Sequence, residues 1–348
     1  MKDILENLPY LYGNPVASAK LKAKPEHFIV KEDLGFEFAG EGEHLMVKIR
    51  KSGENTSFVA NELARFCGVK SKDIGWAGLK DRHAVTEQWL SIHLPKSDGP
   101  DFSQFEAMYP SVQVLETSRH NKKLRPGDLQ GNYFELTLSE VTDIAALENR
   151  LELVLESGVP NYFGVQRFGR EGHNVEEARR WGRENVRTRN QNKRSLYLSS
   201  ARSWIFNQIV GKRIESGCFY LPVTGDILEL NAEQVTVNES NLVALNESVQ
   251  SGEAAITAAL AGDNALPTER KAEELEQQIL DSEPDLMALI RGNRMRHDRR
   301  DILLKPEDLS YSIGEDEVTL KFSLCSGSFA TSIVRELVNE IAVERKYD

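Results

Sequence analysis

The sequence predicts an α+β fold, a mostly antiparallel sheet with helices on its faces, carrying an inserted second domain. Strand signals crowd residues 20–140 and return at 315–325, so the last strand of the first sheet comes from the far end of the chain. Amphipathic helices lie between these strands and after the last one. The middle segment has helices and a charge pattern of its own. At 348 residues the chain is long enough for two ordinary domains, and its 40% apolar content fills their cores.

Taken in order, Lys20 to Lys24 form a basic patch that runs through Pro25 into a short β-branched strand around Phe28, Ile29 and Val30. Leu45, Val47 and Ile49 alternate with Met46, Lys48 and Arg50, the pattern of a half-buried strand. Asn55-Thr56 is placed to cap a helix whose apolar positions are Phe58, Val59, Leu63, Phe66 and Cys67, with Gly68 as its stop. A second strand carries Leu90, Ile92 and Leu94. Gly131 to Leu138 is a strand with Phe134, Leu136 and Leu138 on one face. Ala145 to Ser157 is a helix closed by Gly158, and two further helices are expected near 175–186 and 199–216. Residues 218–266 read as strand and loop, and 268–281 as an acidic helix with a solvated face. Val318, Leu320, Phe322 and Leu324 alternate as a central strand, and Ser328 is the expected N-cap of a closing helix.

Composition excludes several classes. There is no run of 18 apolar residues, hence no membrane-spanning helix. Met1 to Asn7 hold no apolar signal-peptide core, so a cytoplasmic protein is expected. Cys67, Cys218 and Cys325 are odd in number and far apart, which fits buried free thiols in a reducing compartment. His83 and His93 have no third metal-type neighbour. No phosphate-binding G-x-x-x-x-G-K-[ST] loop, dinucleotide fingerprint or carboxylate cluster occurs. No cofactor, metal or protein partner is therefore expected, and the chain is read as a monomer.

The net charge of −11 is unlike that of a nucleic-acid binder, but the charge is segregated. Residues 226–290 hold 14 Asp/Glu against Arg270 and Lys271, a local −12. Residues 158–225 carry 12 Lys/Arg against five Glu, and 291–306 carry six against two Asp. Such basic zones are the electrostatic footprint of a phosphate backbone, and also what a solvated face looks like. Arg119 to Arg125 is a dense basic loop, read equally as a phosphate contact or a solvated turn. Asn161-Tyr162-Phe163-Gly164-Val165-Gln166-Arg167-Phe168-Gly169-Arg170 interleaves aromatics with arginines, a composition suited to RNA. Arg202, on an otherwise apolar helix, reads as a buried structural cation or an RNA contact.

One stretch carries chemistry. Gly75-Trp76-Ala77-Gly78 reads as a tight bend or a wall against a ligand, and Asp81 follows between Lys80 and Arg82. Two cations beside one acid keep it ionised, which makes Asp81 a carboxylate nucleophile or an exposed charged turn. Asn132 and Phe134 project to one side of their strand, an amide to read a base edge beside a ring to stack on it.

The segment Ala77-Gly78-Leu79-Lys80-Asp81-Arg82-His83-Ala84-Val85-Thr86-Glu87-Gln88 resembles the active-site segment of the tRNA pseudouridine synthase D family. The strand at Phe28, the Gly131-Asn132-Tyr133-Phe134 block, Asn161 to Gly169, Leu198 to Ile209 and Gly327 to Leu337 resemble that family in the same order. The resemblance implies a pseudouridine synthase catalytic domain of permuted strand order, residues 1–157 and 305–348. It implies an inserted family-specific α/β domain over 158–304, with RNA between the two. Asp81 is then the catalytic carboxylate. Phe28, Phe134 and Phe329 wall the uridine site, Asn132 reads the base, and Lys22, Glu32 and Lys80 lie close by. The implied substrate is tRNA, at uridine 13 of the D arm. The competing readings are a non-catalytic RNA-binding module and a metal-dependent phosphate-processing enzyme.

Overall fold

The computed structural model describes residues 3–344. Its first strands are β1 (Ser18–Lys20) and β2 (Phe28–Asp33), joined through a 3-10 turn that Pro25 opens. Proline suits that position because its missing N–H has no helical partner there. β3 (His44–Ser52) sends Leu45, Val47 and Ile49 into a core shared with Val59, Ala60, Leu63 and Ala64 of α1 (Thr56–Phe66). Asn55 precedes α1 as expected, yet its side chain makes no capping bond. β4 (Ile74–Trp76), β5 (Val85–His93), α2 (Phe102–Met108), β6 (Val112–His120), β7 (Gly131–Leu138) and α3 (Ile144–Ser157) follow. The middle of the chain forms β8 (Val159–Pro160), α4 (His173–Arg183), α5 (Gln191–Glu215), β9 (Ile227–Leu230), β10 (Glu233–Thr236), α6 (Leu242–Ser251), β11 (Ala254–Leu260), α7 (Arg270–Ser282), α8 (Pro284–Gly292), β12 (Asp298–Asp301) and β13 (Leu303–Leu304). β14 (Glu307–Ile313), β15 (Val318–Cys325), α9 (Ala330–Leu337) and β16 (Asn339–Ile341) close it.

The chain divides into two compact units. One contains residues 15–155, 306–330 and 337 onwards. Its eight-stranded sheet has the order β14-β15-β7-β2-β5-β3-β6, with β4 on β5. Every neighbouring pair is antiparallel except β2 with β5. This is the expected α+β architecture. β15 returns after the middle segment to pair with β7 along its whole length, from Val318 opposite Leu138 to Cys325 opposite Gly131.

The other unit contains residues up to 14, 156–305 and 331–336. The first and last of these segments, which the sequence reading places with the first domain, pack here. An antiparallel sheet of order β10-β9-β11-β12 lies in this unit with α4 to α8. Its core holds Ile205, Phe206, Ile209 and Val210 of α5, all fully buried. Two ion pairs are buried with them, Arg213–Asp226 and Arg299–Glu276, both at 2.7 Å.

Several local expectations are corrected. α5 starts at Gln191 rather than near 199, because the Asn190 side chain accepts from Lys193 N at 3.1 Å and caps the helix there. α6 lies in a stretch read as strand and loop. α7 is not merely solvated, since Ala272, Leu275, Glu276 and Leu280 are buried. α9 begins at Ala330, so Phe329 and not Ser328 immediately precedes it. Only Cys218 is a buried thiol; Cys67 is half-buried and Cys325 exposed. The expected bend at Gly75 is strand β4, without a positive φ. Glycine is needed there for close approach, because a Cβ at 75 would lie 2.2 Å from the Leu124 carbonyl oxygen.

Candidate active site

Cross-strand register sets out one face of the eight-stranded sheet. Glu32 lies opposite Asn132, Val30 opposite Phe134, and Phe28 opposite Leu136. Directly opposed residues share a face, so Phe28, Glu32, Asn132 and Phe134 lie on one side. On the far side of β2, Val30 pairs with Thr86 of β5, and Thr86 pairs with Lys51 of β3. Lys51 therefore belongs to that face too.

The loop between β4 and β5 carries Asp81, and the sheet and α1 brace it. Gln88, fully buried on β5, donates to Gly78 O at 3.0 Å. The Thr56 hydroxyl donates to Gln88 Oε1 at 2.8 Å and accepts from Lys80 N at 3.1 Å. Lys51 Nζ donates to Asp81 O at 3.1 Å and to Glu54 O at 2.7 Å. Each bond satisfies a loop group that would otherwise be stranded away from water.

The Asp81 side chain is 18% exposed, and both its oxygens accept hydrogen bonds. Oδ2 accepts from Lys22 Nζ at 2.5 Å, and Oδ1 from the backbone N of His83 at 2.7 Å. Such donors favour the carboxylate form. Lys22 has the left-handed φ of 58°, and its ammonium stands 4.1 Å from the centre of the Phe28 ring. Phe28 meets Phe134 edge to face at 6.2 Å, and Phe134 stacks on Phe322 at 5.5 Å. The carboxylate thus lies beside an aromatic wall rather than on an open turn.

The cations that flank Asp81 in sequence are not the ones that bond its carboxylate. Lys80 turns instead to Glu32, with Nζ 3.0 Å from Oε2 and side chains only 6% and 0% exposed. Glu32 Oε1 also accepts from Trp89 N at 3.0 Å. Arg82 is exposed and donates to Gly53 O at 3.2 Å. Neighbours in sequence turn to different partners here because the loop is folded onto the sheet and α1, which hold its backbone at Gly78, Lys80 and Asp81.

Asn132 is half-buried, and its Oδ1 is buried with no hydrogen-bond partner, an acceptor left open where buried polar atoms are nearly always bonded. Phe329 is half-buried on the turn after β15, at the sheet end where Cys325 pairs with Gly131 and Leu324 with Asn132. Phe28, Asn132, Phe134, Lys22, Glu32 and Lys80 therefore form one connected cluster with Asp81, and Phe329 lies at the nearby end of β15.

Sequence reasoning missed Lys51. It is fully buried at the end of β3, and burial pulls its ammonium down from the ordinary 10.5 to about 8, against the attraction of Asp81 and Glu54 and with the repulsion of Lys80. Three lysines, 22, 51 and 80, thus attend two carboxylates, 32 and 81. Among the described residues no group of three or more His, Cys, Asp or Glu is arranged to hold a metal ion, and no helix is long and apolar enough to cross a membrane.

Comparison with known proteins gives a consistent result. A family profile described as tRNA pseudouridine synthase D (TruD) matches residues 5–178 and 173–337. A tRNA pseudouridine synthase D of Vibrio parahaemolyticus is 68% identical over 347 residues, covering 100% of both chains. One of Vibrio cholerae is 66% identical, covering 100% of this chain and 96% of its own. A crystal structure described as a tRNA pseudouridine synthase D from Methanosarcina mazei shares the fold, with a TM-score of 0.70 at 24% identity over 95% of this chain and 94% of that one. The chain belongs to the tRNA pseudouridine synthase D family.

Proposed function

We propose that this chain converts uridine to pseudouridine in tRNA, at uridine 13 of the D arm, and that the Asp81 carboxylate initiates the reaction. The isomerisation breaks the N1–C1′ bond, joins C5 to C1′, and moves one proton from C5 to N1, with no redox change. The carboxylate attacks C1′ as in retaining glycosidases, or removes the C2′ proton on a glycal route; both begin at the same oxygen pair. Lys22 and Lys51 balance charge around that carboxylate. Phe28, Phe134 and Phe329 wall the detached uracil, and the Asn132 Oδ1 accepts from its N3–H. The base must leave its stack first, at a cost of a few kcal/mol that the pocket offsets.

The observation that carries this reading is the half-buried Asp81 carboxylate held by Lys22 beside the Phe28–Phe134 pair. The names of the relatives supply the substrate class, and the family resemblance supplies the position. In the test, the pure protein is incubated with tRNA transcripts and pseudouridine is mapped by chemical probing. The wild type is expected to modify uridine 13, and a transcript with cytidine there to remain unmodified. Asp81→Asn is expected to bind tRNA and form no product; turnover by that variant would sink the assignment.

A further inference from the structure

We propose that a cavity of about 620 Å³ in the unit of residues 156–305 is a pocket for a backbone phosphodiester of the RNA substrate, gripped by Arg194, Arg202 and Arg294. The proposal rests on the tRNA reading above and deepens it. Three basic segments far apart in sequence meet at this cavity. Arg167 comes from the turn after β8, Arg194 and Arg202 from α5, and Arg294 from the loop after α8. The lining holds these four arginines and no Asp or Glu.

Arg167, Arg194 and Arg202 each donate to neutral oxygens. Arg202 donates from Nε to Ala261 O at 2.9 Å, and from Nη2 to Leu260 O at 3.2 Å and Arg296 O at 2.9 Å. Arg194 donates to Gln191 Oε1. Arg167 donates to Ser199 Oγ at 2.5 Å, and its guanidinium lies 5.2 Å from the centre of the Phe163 ring. Carbonyl, amide and hydroxyl oxygens fix direction and carry no full charge themselves. Burial holds Arg167 and Arg202 below the ordinary arginine value, although Asp298 favours the Arg202 charge. Arg300, behind the wall, is lowered to about 10 by burial and then by the charge of Arg167.

Cations crowded and desolvated in this way are a poor arrangement for an empty protein and a good one for an anion. Guanidinium forks match phosphate oxygens in pairs, and the volume falls in the range of ligand pockets. The hydroxyl of Ser199 and the amide of Asn293 add donors and acceptors suited to a ribose. An extended RNA backbone fits this chemistry, with Arg294 exposed and Arg194 half-buried where it would enter.

The test measures the affinity of a tRNA transcript for the whole protein as a function of salt. Each phosphate contact contributes a slope of about 0.7–0.9 in log K against log[salt]. Arg194→Ala with Arg294→Ala is therefore expected to reduce the slope by about 0.7–0.9 and the affinity about 4–5-fold near 0.15 M salt. Arg194→Lys with Arg294→Lys is expected to recover most of both, and thermal melting controls for folding. An unchanged slope and affinity in the alanine pair, with a wild type that binds tRNA and forms pseudouridine, would overturn the pocket alone. A wild type that neither binds nor modifies tRNA would instead overturn the function on which the pocket depends. Inorganic phosphate is added at matched ionic strength as a third arm. Weaker tRNA binding under phosphate in the wild type but not in the alanine pair is expected, because both anions compete for one site. Phosphate that protects the wild type but not the alanine pair against thermal unfolding, with tRNA affinity alike in both, would reassign the cavity to a free anion and refute the RNA assignment.

Discussion

Replacing Lys51 by methionine removes the buried ammonium behind Asp81 and should reshape the pH profile of pseudouridine formation at both ends. In the folded protein this lysine titrates near 8, below its ordinary 10.5, so it is about nine-tenths charged at pH 7 and one-tenth at pH 9. The ammonium and the Asp81 carboxylate attract one another, so each favours the charged form of the other. Wild-type kcat/KM should therefore decline through a limb centred near pH 8 as that charge is lost. Lys51→Met should lack this limb, and its acid limb should move up, because the carboxylate loses a nearby cation. Its plateau should fall about 10–100-fold, because Asp81 O loses the bond that fixes the loop. Lys51→Arg, charged throughout, should also lack the alkaline limb.

Folding should survive the change to methionine. The depressed lysine costs the wild type about 3 kcal/mol at neutral pH, and its removal offsets the roughly 1–3 kcal/mol for each carbonyl left without its donor. The folded pKa lies below the unfolded one, so the folded state binds fewer protons between pH 8 and 10.5. Wild-type stability should accordingly rise with pH across that window, and the methionine variant should not show the rise. The assay is single-turnover product formation from pH 5 to 9.5, with urea denaturation alongside. An alkaline limb near pH 8 that persists in Lys51→Met would refute the reasoning.

Other perturbations have equally definite outcomes. Glu32→Ala leaves the Lys80 ammonium buried and unpaired, and should destabilise the protein by about 3–5 kcal/mol by urea denaturation, with Glu32→Gln milder because it can still accept from Trp89 N. Gly75→Ala pushes a methyl into the Leu124 carbonyl, and should lower stability by about 1–3 kcal/mol and turnover together, seen as a depressed melting temperature and reduced kcat. Asp226→Ala strands the buried Arg213 and should cost about 3–5 kcal/mol, read by chemical denaturation.

The apolar alternation of β3, β7 and β15 and the helical spacing of α1 and α3 were legible because each buries one face, which is what periodicity reports. The short α2, α6 and α8 were not read. α6 sits among strands, and α8 follows another helix directly through Pro284. In the site, Asp81 and its cluster were legible largely through the resemblance. Lys51 was invisible because its partners are the carbonyls of Glu54 and Asp81, which no sequence pattern marks, and in sequence it looks like one more cation beside Lys48 and Arg50. The cations next to Asp81 in the chain are Lys80 and Arg82, whereas the ammonium that bonds its carboxylate is that of Lys22, 59 residues away. Proximity along the chain was a poor guide because the loop is folded back onto the sheet.

Lys22 combines a left-handed backbone with a long charged side chain. A left-handed backbone is a conformation that glycine adopts freely and lysine does not. Glycine at this position would relax the main chain and leave the acid without its ammonium, so the two demands conflict, and the reach of the side chain prevails. In the reaction proposed for Asp81, an arriving nucleoside would meet that ammonium already seated on Oδ2. One oxygen of the acid is thus covered by a long side chain that is itself largely buried, and any ligand of that oxygen must displace it.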